Sequence, residues 1–420
     1  SSAAEWALQM NGMVQATGNV RNVSLLEYLS VDLSFDFVCL WNWSDVWGFP
    51  GCRSDGTAAA LKRLLAEAHK VGLKILPYVD ISALSVRAPG ASQILSQVEL
   101  NVSGKPHATG KHHDQAIYKV DNSLPAWKDY WSHAMQSFVE EFDIDGVYCD
   151  VAGIHNGVND ANGRANYNLA GTRETFAAMY QILHTHGMVL MQDHATPPMT
   201  THNYHSDMLL MGEAHYYLLQ YHNLTAISGR PLRERIAPAM AESWWTVARP
   251  NLPVVFDTKA PTEVIHNDGS GHGHCPGEAC GWDRQKILTT RELKTITALH
   301  GMSLWGPVGT NAEATVWNWW EALDSVGCHG SSELAAETRC DFVGYWEKQD
   351  SRNQVASAAT PTDILVSHFV IQRADTLELL LLVANFGEKP VRNATAEIPV
   401  DPAGAWAVQR AWPAGAGAAA

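Results

Sequence analysis

The stretch Phe142-Asp-Ile-Asp-Gly-Val-Tyr-Cys-Asp150, continued by Val151-Ala-Gly153, decides how the chain is read. Asp145-Gly146 is a tight entry turn, and Val147, Tyr148 and Cys149 suit a short strand covered on both faces. The strand ends on a carboxylate. Parallel α/β barrels carry their chemistry at the C-terminal ends of their strands, so Asp150 stands where a reacting group belongs.

Working outward, the device recurs. Strands are expected at Trp6–Met10, Phe35–Trp41, Leu73–Val79, Gly146–Asp150, Met188–Gln192, Met208–Gly212, Pro253–Phe256 and Met302–Trp305. Amphipathic segments separate most of them. Thr57–Val71 repeats apolar residues at three-to-four spacing and is followed by Gly72 as a C-cap. Ser123–Glu141 opens with a capping Ser and carries Pro125 in its first turn, and Gly171–Gly187 and Arg284–His300 behave alike. Eight strands with intervening helices close a (β/α)8 TIM barrel. The unit between Asp193 and Asp207 leaves room for a short helix or none. No internal repeat is read beyond the βα alternation.

The pattern changes near residue 340. Ile364–Gln372, Leu377–Asn385 and Val391–Pro399 are apolar or alternating runs, and Phe386-Gly-Glu-Lys-Pro390 joins the last two like a hairpin. Residues 1–340 are therefore expected to form the catalytic barrel, and residues 341–420 a small antiparallel β-sandwich-like domain. The terminal Ala-Gly-Ala-Gly-Ala-Ala-Ala reads as a flexible tail or a truncated edge.

Composition narrows the function. A formal net charge of −15 argues against nucleic acid or an anionic membrane as the main partner. No apolar run reaches the roughly 18 residues that would cross a bilayer. Sixteen tryptophans exceed ordinary packing needs. Most are expected in the core, but Trp41, Trp43, Trp47 and Trp305 follow or end strands and are candidate platforms for sugar rings. The sequence starts Ser-Ser-Ala-Ala-Glu, like a processed piece, and sequons stand at Asn22, Asn42, Asn101, Asn223 and Asn393. Together these point to a secreted or extracytoplasmic protein. Cys39 and Cys149 read as small buried hydrophobes, whereas Cys275 with Cys280 and Cys328 with Cys340 are close enough for local disulfides.

Strand ends supply Asp80, Asp150, Asp193, Glu213 and Asp257, with Trp41, His194, His215, Lys259 and Trp305 at or near them. A single Asp after a strand commonly caps the next helix or completes a turn. Carboxylates repeated at the same end of several strands converge on one rim. Crowded like charges push their pKa values apart, giving one protonated acid beside one ionised group, which is the equipment for glycosidic bond cleavage. Asp80, Asp193, His194, His215, Asp257 and Lys259 are candidates for gripping sugar hydroxyls. The loop His266-Asn-Asp-Gly-Ser-Gly-His-Gly-His-Cys275 resembles a zinc cluster in composition, but its spacing fits no standard site, so no metal and no cofactor are expected.

Three segments carry a resemblance: Gly72-Leu-Lys-Ile-Leu-Pro-Tyr78, Asp145-Gly-Val-Tyr-Cys-Asp150 and Ser206-Asp-Met-Leu-Leu-Met-Gly-Glu213. In this order they resemble barrel glycosidases related to glycoside hydrolase family 123. More distantly they are similar to the α-galactosidase/α-glucosidase clan. The resemblance covers residues 35 to 310, and the strand Leu380–Asn385 looks like that group's C-terminal β-domain. In the clan the nucleophile is the Asp ending strand four and the acid/base follows strand six, which implies Asp150 and Glu213 here. The clan usually has Asp at the second place, so Glu213 is a departure. Family 123 proper uses an adjacent Asp-Glu pair with the substrate's acetamido group as nucleophile. Val151 follows Asp150, so that pair is missing and substrate-assisted hydrolysis is disfavoured.

The expected activity is hydrolysis of an α-linked glycan by a retaining, two-carboxylate mechanism. An inverting glycosidase or transglycosidase using Asp257 or Asp193 is the alternative, as is a carbohydrate-binding barrel without catalysis.

Overall fold

A computed structural model describes residues 13–17, 37–41, 43–98, 101–102, 105–106, 108–112, 115–122, 124–150, 169–194, 204–211, 252–256, 298–307, 323, 325–328, 337–345 and 364–385. Eight strands form the principal sheet: β1 (Met13–Thr17), β2 (Phe37–Trp41), β3 (Lys74–Asp80), β4 (Gly146–Asp150), β5 (Val189–His194), β6 (Met208–Met211), β7 (Leu252–Phe256) and β8 (Ser303–Pro307). Hydrogen bonding orders them β1-β8-β7-β6-β5-β4-β3-β2 in a closed barrel. The pairs from β1 through β6 that flank β2, β3, β4 and β5 are all parallel. The first described strand is Met13–Thr17, and the expected strand Trp6–Met10 falls outside the described residues.

The chain divides into two compact units, one of residues 1–8, 13–214 and 247–254, the other of 9–12, 215–246 and 255–420. In the first, α1 (Asp55–Lys70) precedes β3, α2 (Ala91–Val98) and α3 (Pro125–Glu141) lie between β3 and β4, and α4 (Leu169–Thr185) precedes β5. Helix α1 starts two residues earlier than its apolar period suggests, because Ser54 caps it by accepting from the Thr57 N–H. Leu61, Leu65 and Ala68 form its buried stripe. Helix α3 is capped differently from expectation: its N-cap is Leu124, which makes no side-chain cap bond, and Pro125 starts it. Its buried face of Trp127, Trp131, Met135, Phe138 and Val139 explains why it forms without a polar cap, since packing outweighs one end interaction.

Strands β2, β3 and β4 are buried along nearly their whole length, as strands covered on both faces must be. β4 and β5 approach so closely that a Cβ on Gly146 would lie 2.3 Å from the Val189 carbonyl oxygen. Only glycine permits that contact.

Each of two strand entrances carries an aspartate that faces a backbone N–H of the neighbouring strand and a histidine. Asp145, before β4, accepts from the Ile75 N–H (2.8 Å), His69 Nε2 (2.8 Å) and Lys74 Nζ (2.8 Å). Asp207, before β6, accepts from the Leu190 N–H (2.8 Å) and faces His184 Nε2 at 3.0 Å. Both backbone N–H groups also return to the neighbouring strand, Asp145 to the Ile75 carbonyl and Asp207 to the Leu190 carbonyl. The histidines end α1 and α4, and His69-x-x-Gly72-x-x-Ile75 matches His184-x-x-Gly187-x-x-Leu190 in spacing. This local repeat corrects the reading that none exists. Burial raises the Asp207 carboxyl above its ordinary range, against the opposing pull of the Leu190 N–H and His184.

Residues 82–120 fold into more than a loop. Strands Ala83–Ser85, Gln115–Lys119 and Ala108–His112 form a small antiparallel sheet in that order. Gln115 is buried and ties this sheet to the segment after β2: its Oε1 accepts from the Trp47 N–H and Ser85 Oγ, and its Nε2 donates to the Asp45 carbonyl.

In the second unit, β9 (Arg339–Val343), β10 (Ile364–Gln372) and β11 (Leu377–Asn385) form an antiparallel sheet in the order β9-β10-β11. β10 and β11 match the expected bounds, while β9 was not anticipated and straddles residues 340 and 341. Cys328 and Cys340 are disulfide-bonded, one of the two local pairings expected. The other, at Cys275 and Cys280, lies outside the described residues, as do Val391–Pro399 and the His266–Cys275 loop. Ser367 Oγ donates to the Leu299 carbonyl (2.6 Å) and accepts from the Tyr345 N–H, and Arg373 pairs with Glu378 beside the turn that joins β10 to β11.

Candidate active site

Strand register brings three aspartates into one row. Asp80 on β3 lies opposite Asp150 on β4, and the pairing of Gln192 with Cys149 puts Asp193 of β5 opposite Asp150 on its other side. All three stand at the C-terminal ends of adjacent strands, where neighbouring backbones are about 4.8 Å apart. Asp80 and Asp193 are buried, at 5% and 3% exposure, and Asp150 between them is partly exposed.

One step below the row lies an aromatic layer. Tyr78 pairs with Tyr148, which pairs with Met191. Cys39 Sγ meets Met191 Sδ at 4.0 Å although β2 and β5 are not neighbours, so this set of side chains faces the barrel interior. The Trp41 ring lies 4.5 Å from that of Tyr78 and 6.2 Å from that of Tyr148, and Trp47 lies 5.0 Å from Tyr78. Carboxylates above a floor of flat rings suit a polyhydroxylated ligand whose C–H faces are apolar.

The end of β3 is held from several sides. Trp43 Nε1 donates to the Tyr78 carbonyl (2.9 Å) and Trp127 Nε1 to the Ile81 carbonyl (3.1 Å). The Asp80 N–H donates to the Gly48 carbonyl (2.9 Å). Gly48 has φ +64°, and a Cβ there would sit 3.0 Å from the Asp80 Cβ, so glycine is required twice over. Asp80 Oδ1 accepts from both the N–H and the hydroxyl of Ser82 (2.8 and 2.6 Å), and Lys119 Nζ donates to Ser82 Oγ (3.0 Å). Such a shell fixes the position of Asp80 before any ligand arrives.

Charge in the row is felt by its neighbours. The Tyr78 phenol is pushed well above its usual pKa, first by burial and then by Asp150 and Asp80. Burial, with Asp80 next, pushes the Cys149 thiol up, and burial with Asp193 does the same to Cys39. Both remain protonated thiols, so neither is equipped as a nucleophile.

Of the residues singled out in the sequence, Trp41, Asp80, Asp150 and Asp193 come together. Trp43 is used differently from expectation: it is buried, its ring is stacked on Phe138 at 5.0 Å, and its N–H holds Tyr78. It packs α3 against the wall and offers no free face to a sugar. Asp193 and His194 are the last two residues of β5, which runs farther than anticipated, and Trp305 lies in the middle of β8, not at its end. Glu213, His215, Asp257 and Lys259 lie outside the described residues. Sequence reasoning missed Tyr78 and Tyr148, whose signal was their position two residues before Asp80 and Asp150, on the same strand face. Ser82 and Lys119 were missed because they meet only through the inserted sheet. Among the described residues, no group of side chains could hold a metal ion and no helix is long and apolar enough to cross a membrane.

Residues 41–214 match the family model of glycosyl hydrolase family 66. That interval opens on Trp41 and contains the whole row and its aromatic floor. No curated protein sequence matches the chain. Among solved structures, an alpha-N-acetylgalactosaminidase from Bifidobacterium bifidum is similar with a TM-score of 0.50 and 12% identity, over 92% of this chain and 59% of that one. A maltogenic alpha-amylase from Thermotoga neapolitana gives a TM-score of 0.49 at 14% identity, over 90% and 86% of the two chains. A trehalose-6-phosphate hydrolase from Bacillus licheniformis gives 0.47 at 11%, over 86% and 90%. The first of these likenesses speaks for the fold alone. With the family match across the carboxylate row, the chain is a glycoside hydrolase, and its substrate is a carbohydrate.

Proposed function

We propose that this glycoside hydrolase cleaves an α-linked glycan, of α-galactoside type, with retention of anomeric configuration. Asp150 attacks the anomeric carbon while Glu213 protonates the departing oxygen; water then enters with Glu213 as base. The observation that carries the reading is the register of Asp80, Asp150 and Asp193 above the Trp41–Tyr78–Tyr148 layer. Within that row Asp150 is the more exposed member, as an attacking group must be. Asp80 is already held by Ser82, which suits a residue that grips sugar hydroxyls without reacting.

The row supports a second reading. A retaining pair of carboxyl groups stands about 5 to 5.5 Å apart, and Asp193 is on the strand next to Asp150, so Asp193 is the rival acid/base. Its near-complete burial favours Glu213 for the proton, because the acid must reach a leaving group at the cleft mouth. An inverting or transglycosylating enzyme using Asp257 or Asp193 is the remaining alternative.

The architecture we propose is a complete (β/α)8 barrel over residues 1–340 followed by a β-domain over 341–420. The Cys328–Cys340 disulfide favours a secreted protein, since such bonds persist in oxidising compartments.

The test is a panel of aryl α- and β-glycosides cleaved by wild type, Glu213→Gln and Asp193→Asn, with the first-formed product anomer read by NMR. The acid/base variant should lose activity on p-nitrophenyl leaving groups by about 10²-fold or more yet cleave dinitrophenyl glycosides readily, because a good leaving group needs no proton. If Asp193→Asn shows that pattern and Glu213→Gln does not, the second reading replaces the first. A product of inverted configuration rejects retention.

A further inference from the structure

We propose that Lys119 is a positioning residue that acts on the substrate through Ser82 and Asp80. Its ammonium group fixes the Ser82 hydroxyl on Asp80 Oδ1 and leaves Asp80 Oδ2 to accept from a hydroxyl of the sugar ring held beside Asp150. The inference rests on the reading of Asp80 as a residue that grips sugar hydroxyls, and it joins the inserted sheet to that site.

The proton inventory gives the chain one direction. Lys119 Nζ lies 3.0 Å from Ser82 Oγ, and an ammonium group only donates. Ser82 Oγ lies 2.6 Å from Asp80 Oδ1 and has a single proton to give. With Lys119 donating, that proton goes to Asp80. The Ser82 N–H donates to the same oxygen at 2.8 Å. Both hydrogen bonds of the Asp80 carboxylate thus fall on Oδ1, and among the described residues nothing donates to Oδ2. Asp80 is 5% exposed, and an oxygen left over at this depth calls for a partner. On its strand Asp80 stands two residues beyond Tyr78, on the inward face and opposite Asp150, so the partner that fits is a substrate hydroxyl.

Ser82 is itself held in place. It is buried, its carbonyl accepts from the Val120 N–H (3.0 Å), and the adjacent Ile81 carbonyl accepts from Trp127 Nε1 (3.1 Å). Lys119 reaches it from the inserted sheet, where it pairs in register with Ala83. A charged donor at the head of such a chain strengthens the bond that follows it. Without the ammonium group the Ser82 hydroxyl is no longer obliged to give its proton to Oδ1, and the carboxylate is freer to turn.

The experiment measures kcat and KM on a p-nitrophenyl α-glycoside that the wild type cleaves. The variants are Lys119→Met, Lys119→Gln, Ser82→Ala, Asp80→Asn and the double variant Lys119→Met with Ser82→Ala. Either Lys119 substitution should raise KM about tenfold with kcat held within about twofold, since a hydrogen bond to a charged group is worth about that much in binding. In the Ser82→Ala background the Lys119 substitution should add nothing, because its path to Asp80 is already cut. A loss that persists in that background overturns the positioning role and leaves Asp80 in the site. So does a KM that the Lys119 substitutions leave unchanged while Asp80→Asn raises it. A KM unchanged in Asp80→Asn removes Asp80 from the site, and the inference falls with it.

Discussion

Asp145 and Asp150 stand at the two ends of one strand, and the molecule treats them in opposite ways. Asp145, at the entrance, is enclosed by a backbone N–H, an imidazole and an ammonium group, each at 2.8 Å. Asp150, at the exit, is partly exposed and lies between two further carboxylates. The entrance matches donors to a charge and gains stability. The exit gathers like charges and, on the proposed reading, sacrifices stability for a site that binds and reacts. The recurrence of the entrance device at Asp207 shows that it belongs to the scaffold, with His184 and Leu190 taking the places of His69 and Ile75.

The largest effect should come from breaking the exit. Asp150→Asn is expected to lower kcat on the order of 10⁴-fold or more while leaving the urea midpoint within the scatter of wild type, because an amide fills the same space. Equal activity would mean that the two ends are not divided as described. The mirror experiment is Asp145→Asn. It removes the negative charge and one of the two acceptor oxygens that face His69 and Lys74, and should cost about 3 kcal/mol of stability, read from urea unfolding, with turnover per folded molecule unchanged. Asp207→Asn should behave likewise, and a mutant that loses activity but not stability would break the comparison.

A smaller effect tests how firmly the exit is built. Gly48→Ala forces a left-handed backbone on a side chain and presses on the Asp80 Cβ, so stability should fall by about 1 to 2 kcal/mol. KM should rise more than kcat falls, because Asp80 is assigned to binding. An unchanged KM would remove Asp80 from the site.

The smallest effect lies in the second unit. His368 is buried and its pKa is pushed below 6.5 by that burial. A depressed folded pKa means that the unfolded chain takes up the proton first as pH falls. The contribution is therefore present above pH 6.5 and is lost as pH falls from there through the lowered value. His368→Leu should flatten the pH dependence of unfolding in that window without altering activity at neutral pH.

Much of this was legible in the sequence, for identifiable reasons. Gly146–Asp150 could be read because a glycine turn, a doubly buried apolar run and a terminal carboxylate coincide within a few residues. Ile364–Gln372 and Leu377–Asn385 could be read from alternation and a polar turn. The row itself could be anticipated only as a convergence of strand ends; its order depends on register, which is a property of pairs of strands. Tyr78 and Tyr148 were hidden because an aromatic in a buried strand looks like core until its layer is known. Trp43 misled for the converse reason: a tryptophan after a strand can face the cleft or the helix behind it, and Phe138, distant in sequence, decides which. The sheet of residues 83–119 was obscured by its short, polar strands and by Gln115, whose three partners lie in two separate segments. The entrance device was open to view in the spacing His-x-x-Gly-x-x-aliphatic, repeated before β3 and before β5.

The most direct test of the division between the two ends is azide rescue of Asp150→Ala on an aryl α-glycoside that the wild type cleaves. The account predicts a glycosyl azide of inverted, β configuration, with turnover restored in proportion to azide, because the small anion takes the place of the missing carboxylate. An Asp150→Ala enzyme that is as active as wild type, or that stays inactive at high azide while remaining folded and able to bind the glycoside, would contradict it.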